Sequence, residues 1–258
     1  MKSAVFTLCL LGAVCANSYA QQPDYDPILP GEYAITVPFA PLYRSPTDTL
    51  QPVETVYRPG KVTLIGRTGR WAVGKSGKTI VYVPGRVIKD LPAAIRIPRD
   101  PGTGLVTYSE VVQVPGVTQL ELYSRGKVWI AETFKSARSV IQIDEKDTGT
   151  LVGKGWQHIN VKVLAIPLPA VQELWYTVKL EAKDGRFRYT ISQFQLADPP
   201  TNATPNPQAV AVETYMFKLQ GYANSPARVA MQQQHALDEA ARALAASITA
   251  SLTKKADW

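Results

Sequence analysis

From residue 33 to residue 91, apolar positions come in short runs separated by turn residues: 33–37, 55–57, 61–67, 70–73 and 79–83, with glycines at 60, 66, 69, 74, 77 and 85 between or beside them. Runs of this length bounded by glycine predict strands, and five of them packed into about 60 residues predict a small barrel. A different rhythm begins at 107. An extended run, 107–114, stops at Pro115-Gly116, and Thr118-Gln119-Leu120-Glu121 then has the form of a capping box, in which hydroxyl and carboxylate satisfy each other's orphan amides. Tyr123, Ile130 and Phe134 share a stripe flanked by Leu122 and Trp129, which predicts a helix with a face to bury.

Four further runs follow, 140–144, 151–164, 172–182 and 186–196, punctuated by Asp147-Thr148-Gly149 and by Asp184-Gly185. Asp-Gly between alternating runs is a strong hairpin signal, with both turn positions expected at positive φ, so these runs predict an antiparallel meander. At the C-terminus Ser225-Pro226 has the form of an N-cap and first turn. Leu237, Ala241, Leu244, Ile248 and Leu252 then recur at spacings of three and four, the pattern of an amphipathic helix that packs on a sheet or a helix.

Proline divides the chain. Segments 90–102 and 198–207 cannot hold regular structure for long, because proline removes a backbone donor and restricts its predecessor. The expected organisation is a flexible stretch at 21–32, a barrel at 33–91, a proline-rich linker at 92–106, and an α+β sheet domain at 107–255 with a proline-rich loop at 198–210.

Leu42-Tyr43-Arg44-Ser45-Pro46, Arg70-Trp71-Ala72-Val73 and Gly77-Lys78-Thr79-Ile80-Val81-Tyr82-Val83 make residues 33–91 similar to the bacterial SH3-like module. Ile80 and Val81 depart from its pattern, standing where a glycine usually precedes the Tyr-Val pair. In the second half, the order Glu121-Leu122-Tyr123, Trp129, Val140-Ile141, Gly153-Lys154-Gly155 and the Lys183-Asp184-Gly185-Arg186 hairpin resembles an uncharacterised bacterial domain family. That family has a TATA-binding-protein-like fold and occurs in exported Bacteroidota proteins. The resemblance covers about residues 107–255 and implies fold and compartment, but no activity.

The first residues change where this protein is expected to work. Lys2, an apolar run from Ala4 to Ala16 broken only by Thr7, and Ser18-Tyr19-Ala20 form a secretory signal peptide, 1–20, with cleavage expected after Ala20. Export to the periplasm or beyond follows, and the run is too short for a retained spanning helix, so none is expected in the mature chain. Cys9 and Cys15 both lie in the leader, which leaves no thiol, disulfide or thiolate metal site in the body. Val14 stands where lipoprotein signals have Gly or Ala, so lipid anchoring is not expected. Loss of the leader removes Lys2 and no acid, lowering the net charge from +7 to +6. This moderate basic excess suits an anionic surface, though a solvated excess with no partner is equally ordinary.

Two surfaces are candidates for binding. In the first module Tyr43, Trp71 and Tyr82 could line a groove for an extended peptide, while Trp71 as plain core is the favoured alternative. In the second, period two places Ile159, Val161, Val163, Tyr176, Val178, Leu180, Phe187, Tyr189 and Ile191 on the face the helices cover. Trp156, His158, Asn160, Lys162, Trp175, Thr177, Lys179, Arg186, Arg188 and Thr190 then fall on the other face. Two tryptophans among cations could stack a ligand or meet the other module. Polar outer faces with cross-strand aromatics are also an ordinary way to stabilise a sheet.

Little supports catalysis. His158 and His235 lie in different elements and in no metal-ligand spacing. Asp144, Glu145 and Asp147 are explained by a turn, and Gly74-Lys75-Ser76-Gly77-Lys78 joins two strands rather than a strand and a helix. Asn202-Ala203-Thr204 matches a glycosylation sequon by chance. The expectation is therefore a non-catalytic envelope binding or scaffold protein without cofactor or metal. Its expected partners are a peptide, peptidoglycan or an anionic envelope surface, and no nucleic acid. The rivals are a structural subunit forming a homo-oligomer through an exposed apolar stripe, and an envelope hydrolase.

Overall fold

The computed structural model describes residues 25–77, 79–134, 141–161, 170–202, 204–216 and 225–254. The expected leader lies outside them, as do Lys78, Val140, Lys162, Val163 and Ala203.

The first module holds six strands: β1 (Asp26–Ala34), β2 (Phe39–Leu42), β3 (Glu54–Tyr57), β4 (Lys61–Thr68), β5 (Trp71–Ser76) and β6 (Thr79–Pro84). β1 starts inside the segment expected to be flexible. Pro27 and Pro30 suggested coil, but the register with β4 shifts between Pro27 and Gly31, and such an irregularity lets the proline-bearing backbone skip ladder bonds while Ile28 is buried completely.

An antiparallel sheet runs in the order β1-β4-β5-β6, and β2 and β3 pair separately as a ribbon. The ribbon hangs on β6 by one bridge, in which the Tyr43 and Tyr82 amides donate to each other's carbonyls at 2.9 and 2.8 Å. A second isolated bridge joins Ile35 to Ile88. Among the described residues no closed barrel forms: these single bridges stand where a barrel would need continuous ladders. The core between sheet and ribbon gathers Ile28, Ala40, Leu42, Leu64, Ala72, Val81 and Val83.

The linker is tied down. The Ile95 amide donates to the Pro27 carbonyl at 2.7 Å, the Arg96 guanidinium meets Asp26 at 2.6 Å, and Ile95 is buried.

The second module contains β7 (Tyr108–Gln113), α1 (Gln119–Thr133), β8 (Ile141–Glu145), β9 (Thr150–Val161), β10 (Ala170–Lys183), β11 (Arg186–Ala197), β12 (Val210–Ala211), α2 (Val212–Tyr215) and α3 (Ser225–Thr253). β8 to β11 form the expected meander, and β7 and β12 pair with different stretches of β11. The β8 register slips between Ile141 and Ile143.

Thr118 caps α1 by accepting from the Glu121 amide at 3.2 Å, while the Glu121 carboxylate pairs with Arg125. At the β10–β11 hairpin Gly185 takes φ +73° and Asp184 does not share the positive sign. The Asp184 carboxylate instead accepts from the Gln119 amide at 2.7 Å, a second cap on the same helix end.

α1 and α3 pack on one face of the sheet and on each other. Trp129, Ile130, Leu122, Phe187, Ile191, Leu237 and Ile248 are almost wholly buried in that core. The Tyr108 hydroxyl on β7 donates to Asp238 on α3 at 2.7 Å, and burial together with that carboxylate pushes its pKa far above the tyrosine range. α3 also packs against β1, so the two modules touch.

Candidate functional site

Trp71 opens β5 opposite Pro84 on β6. The next two residues, Ala72 and Val73, are fully buried, whereas Trp71 is only half-buried. Trp71 is thus neither wholly core nor fully exposed, packed on one side and open on the other. The Tyr43 ring meets Trp71 edge-on, with centroids 5.9 Å apart and planes at 87°. Tyr82, also half-buried, reaches this group through its backbone bridge to Tyr43.

Beside Trp71 is a cavity of ≈ 620 Å³ lined by Arg67, Arg70, Arg86, Pro84 and Leu91 as well as the indole. The Arg70 guanidinium lies 5.9 Å from the Trp71 ring centre, within cation–π range. Sequence reasoning found the tryptophan and missed the arginines. Their signal was faint: Arg67 is the penultimate residue of β4, Arg70 is in the following turn and Arg86 comes just after β6, and only folding brings the three positions together.

On the second module the alternation holds. Trp156 and Trp175 face each other across β9 and β10, with rings 5.8 Å apart and tilted 31°, and His158 lies edge-on to Trp156 at 5.1 Å. The Trp175 indole donates to Glu173 at 3.1 Å. The two tryptophans are 45% and 36% exposed, enough to offer ring faces to a partner.

The cations of this face are less available than the sequence suggested. Glu181 accepts from Arg188 at 2.8 Å and pairs with Lys179 at 3.0 Å. Burial by itself raises the Glu181 carboxyl, but hydrogen bonds and charge from Lys179 and Arg188 outweigh it and hold the pKa below the ordinary 4.5. Arg186 forms no ion pair among the described residues.

A pH dependence follows from Glu181. Its folded pKa is depressed, so its contribution is fully present above the unfolded carboxylate value and is lost as pH falls through the folded one. Glu181→Gln is expected to be less stable than wild type at neutral pH, with the two proteins' urea midpoints converging below about pH 4.5. A gap that persists in acid would show that Glu181 acts by packing alone.

Among the described residues the apolar side chains exposed on this sheet are Val111, Ile143, Val171 and Val210, and Glu173, Lys179, Glu181 and Arg188 intervene between the first three and the tryptophans. Asp144 accepts from Tyr123 and is bridged by Lys127 at 2.8 Å. These partners depress its pKa, chiefly through the Lys127 hydrogen bond. His235 faces Glu239 one helical turn away on α3. Among the described residues no three His, Cys, Asp or Glu side chains gather as metal ligands, and no helix is long and apolar enough to cross a membrane.

Residues 108–197 match the model of a family described as a domain of unknown function (DUF4468) with TBP-like fold. Among solved structures, a DUF4468 family protein from Bacteroides ovatus is similar at 17% identity and TM-score 0.48, over 62% of this chain and 91% of that one. A TBP-like protein from Parabacteroides distasonis is similar at 15% identity and TM-score 0.47, over 62% of this chain and 99% of that one. No curated protein matches. By the family match, residues 108–197 have the TBP-like fold, and the module combines helices with antiparallel sheet.

Proposed function

We propose that this chain is an exported, non-catalytic binding protein of a bacterial envelope, in which an SH3-like first module takes an extended peptide or cell-wall strand along Tyr43 and Trp71. The observation that carries this reading is the half-buried Trp71, set edge-on to Tyr43 at the rim of a cavity of ≈ 620 Å³. That volume falls in the range of small-ligand sites, and an aromatic wall beside polar groups is their usual chemistry. The TBP-like module serves as the scaffold on which the first module is mounted, through the pinned linker and the contact of α3 with β1.

The stacked Trp156–Trp175 pair favours a second reading, in which the open sheet face is the binding surface. Retention of the full chain on purified peptidoglycan separates the two. Trp71→Ala is expected to lower retention about tenfold, a loss of roughly 1.4 kcal/mol, with its melting curve checked for folding. Arg186→Ala with Arg188→Ala is expected to leave retention unchanged. The reverse pattern moves the site to the sheet, and equal retention in all three proteins sinks both readings.

A further inference from the structure

We propose that the cavity beside Trp71 is an oxyanion site, and that Arg67, Arg70 and Arg86 receive there the free carboxylate of a peptide whose neighbouring side chains pack on Trp71, Pro84 and Leu91. The inference deepens the proposed function and rests on it only for the direction in which the rest of the ligand runs.

Three arginines line one cavity, and no acidic residue lines it with them. Among the described residues none of the three forms an ion pair. The carboxylate across the ladder from Arg67 belongs to Asp26, which Arg96 already engages at 2.6 Å. Gathering like charges around a concavity is unfavourable unless something negative enters. An arginine fork matches a carboxylate or phosphate with two parallel hydrogen bonds, and of the three here only Arg67 makes a side-chain hydrogen bond among the described residues, a long one of 3.5 Å to the Pro92 carbonyl.

Two of the cations are mounted on fixed backbone. Arg67 is in the β4 ladder opposite Ala72, and the Arg70 carbonyl accepts from the Gly85 amide at 2.9 Å. The backbone beneath them therefore needs little ordering on binding, and the cost that remains is that of fixing the arginine side chains. The remaining wall decides between carboxylate and bare phosphate. An indole, a proline ring and a leucine offer nothing to a small hydrated ion, but they do offer apolar area to the side chains that accompany a peptide terminus.

Titration calorimetry on the full chain tests this with three probes: acetyl-Ala-Ala-Ala with a free carboxylate, the same peptide as its C-terminal amide, and inorganic phosphate. The free acid is expected to bind at least tenfold more tightly than the amide and to weaken as salt is raised. Arg67→Gln and Arg86→Gln, whose melting curves confirm folding, are each expected to cost about tenfold. Equal binding of acid and amide overturns the proposal, as does phosphate binding without peptide binding, or no binding by any probe. Peptidoglycan retention that needs Trp71 but survives Arg67→Gln with Arg86→Gln would leave the proposed function standing and remove this site. Peptide binding without peptidoglycan retention would keep this site and narrow the proposed function to peptide recognition.

Discussion

Replacing Trp129 by alanine is expected to destabilise the second module by about 3–5 kcal/mol, the range for truncating a large buried aromatic. The indole is 2% exposed. Its ring meets Phe134 edge-on at 5.9 Å, and its N–H donates to the Ser247 hydroxyl on α3 at 3.1 Å. The side chain therefore ties α1 to α3 and, through Phe134 against Tyr176, backs onto the sheet, and its removal leaves a cavity there as well as a hydroxyl that has lost its donor. Trp129→Phe is expected to recover much of the ring packing without the hydrogen bond. Urea unfolding followed by far-ultraviolet circular dichroism reads the effect, and a Trp129→Ala midpoint within about 1 kcal/mol of wild type would contradict this account of the core.

The second large effect comes from a single added carbon. Gly155 on β9 faces the Phe134 ring so closely that a methyl group there would lie 2.2 Å from Cε1 and 2.7 Å from Cζ. The ring cannot simply step aside, because Trp129 stands against it at 5.9 Å and Tyr176 at 6.3 Å. Gly155→Ala is expected to cost about 1–3 kcal/mol by overpacking. Phe134→Leu, itself destabilising, is expected to relieve part of that cost, so the double variant should be more stable than the sum of the single effects. Strict additivity in equilibrium unfolding would show that the two positions do not compete for the same space.

These residues also show what the sequence made legible. Trp129 and Phe134 could be placed on the buried side of a helix from their spacing, and the alternation in β9, β10 and β11 assigned both sheet faces. The close fit of Phe134 over Gly155 could not be read, because helical and strand periodicity say which way a residue points and not what it meets. The Asp184-Gly185 turn was visible as a hairpin, but the Asp184 carboxylate is turned to the α1 amide end, a contact set by tertiary packing. The same limit hid the candidate site. Trp71 was conspicuous by its residue type, but Arg67, Arg70 and Arg86 were three ordinary surface cations until the β4–β5 turn and the end of β6 came together. The barrel expectation erred for a related reason, since strand count is local and closure depends on which edges meet.

The irregular β8 has a consequence for how these molecules behave in a crowd. It forms one border of the large sheet, is mostly exposed, breaks its register between Ile141 and Ile143, and carries Asp144 and Glu145 at its end. A stray extended chain trying to zip onto that border would meet misaligned amide groups, then the Asp144–Lys127 ion pair and the Glu145 carboxylate. β10 is enclosed along its length by β9 and β11, and this irregular border covers the Thr150–Gly153 stretch of β9, where it makes the addition of a further strand unfavourable.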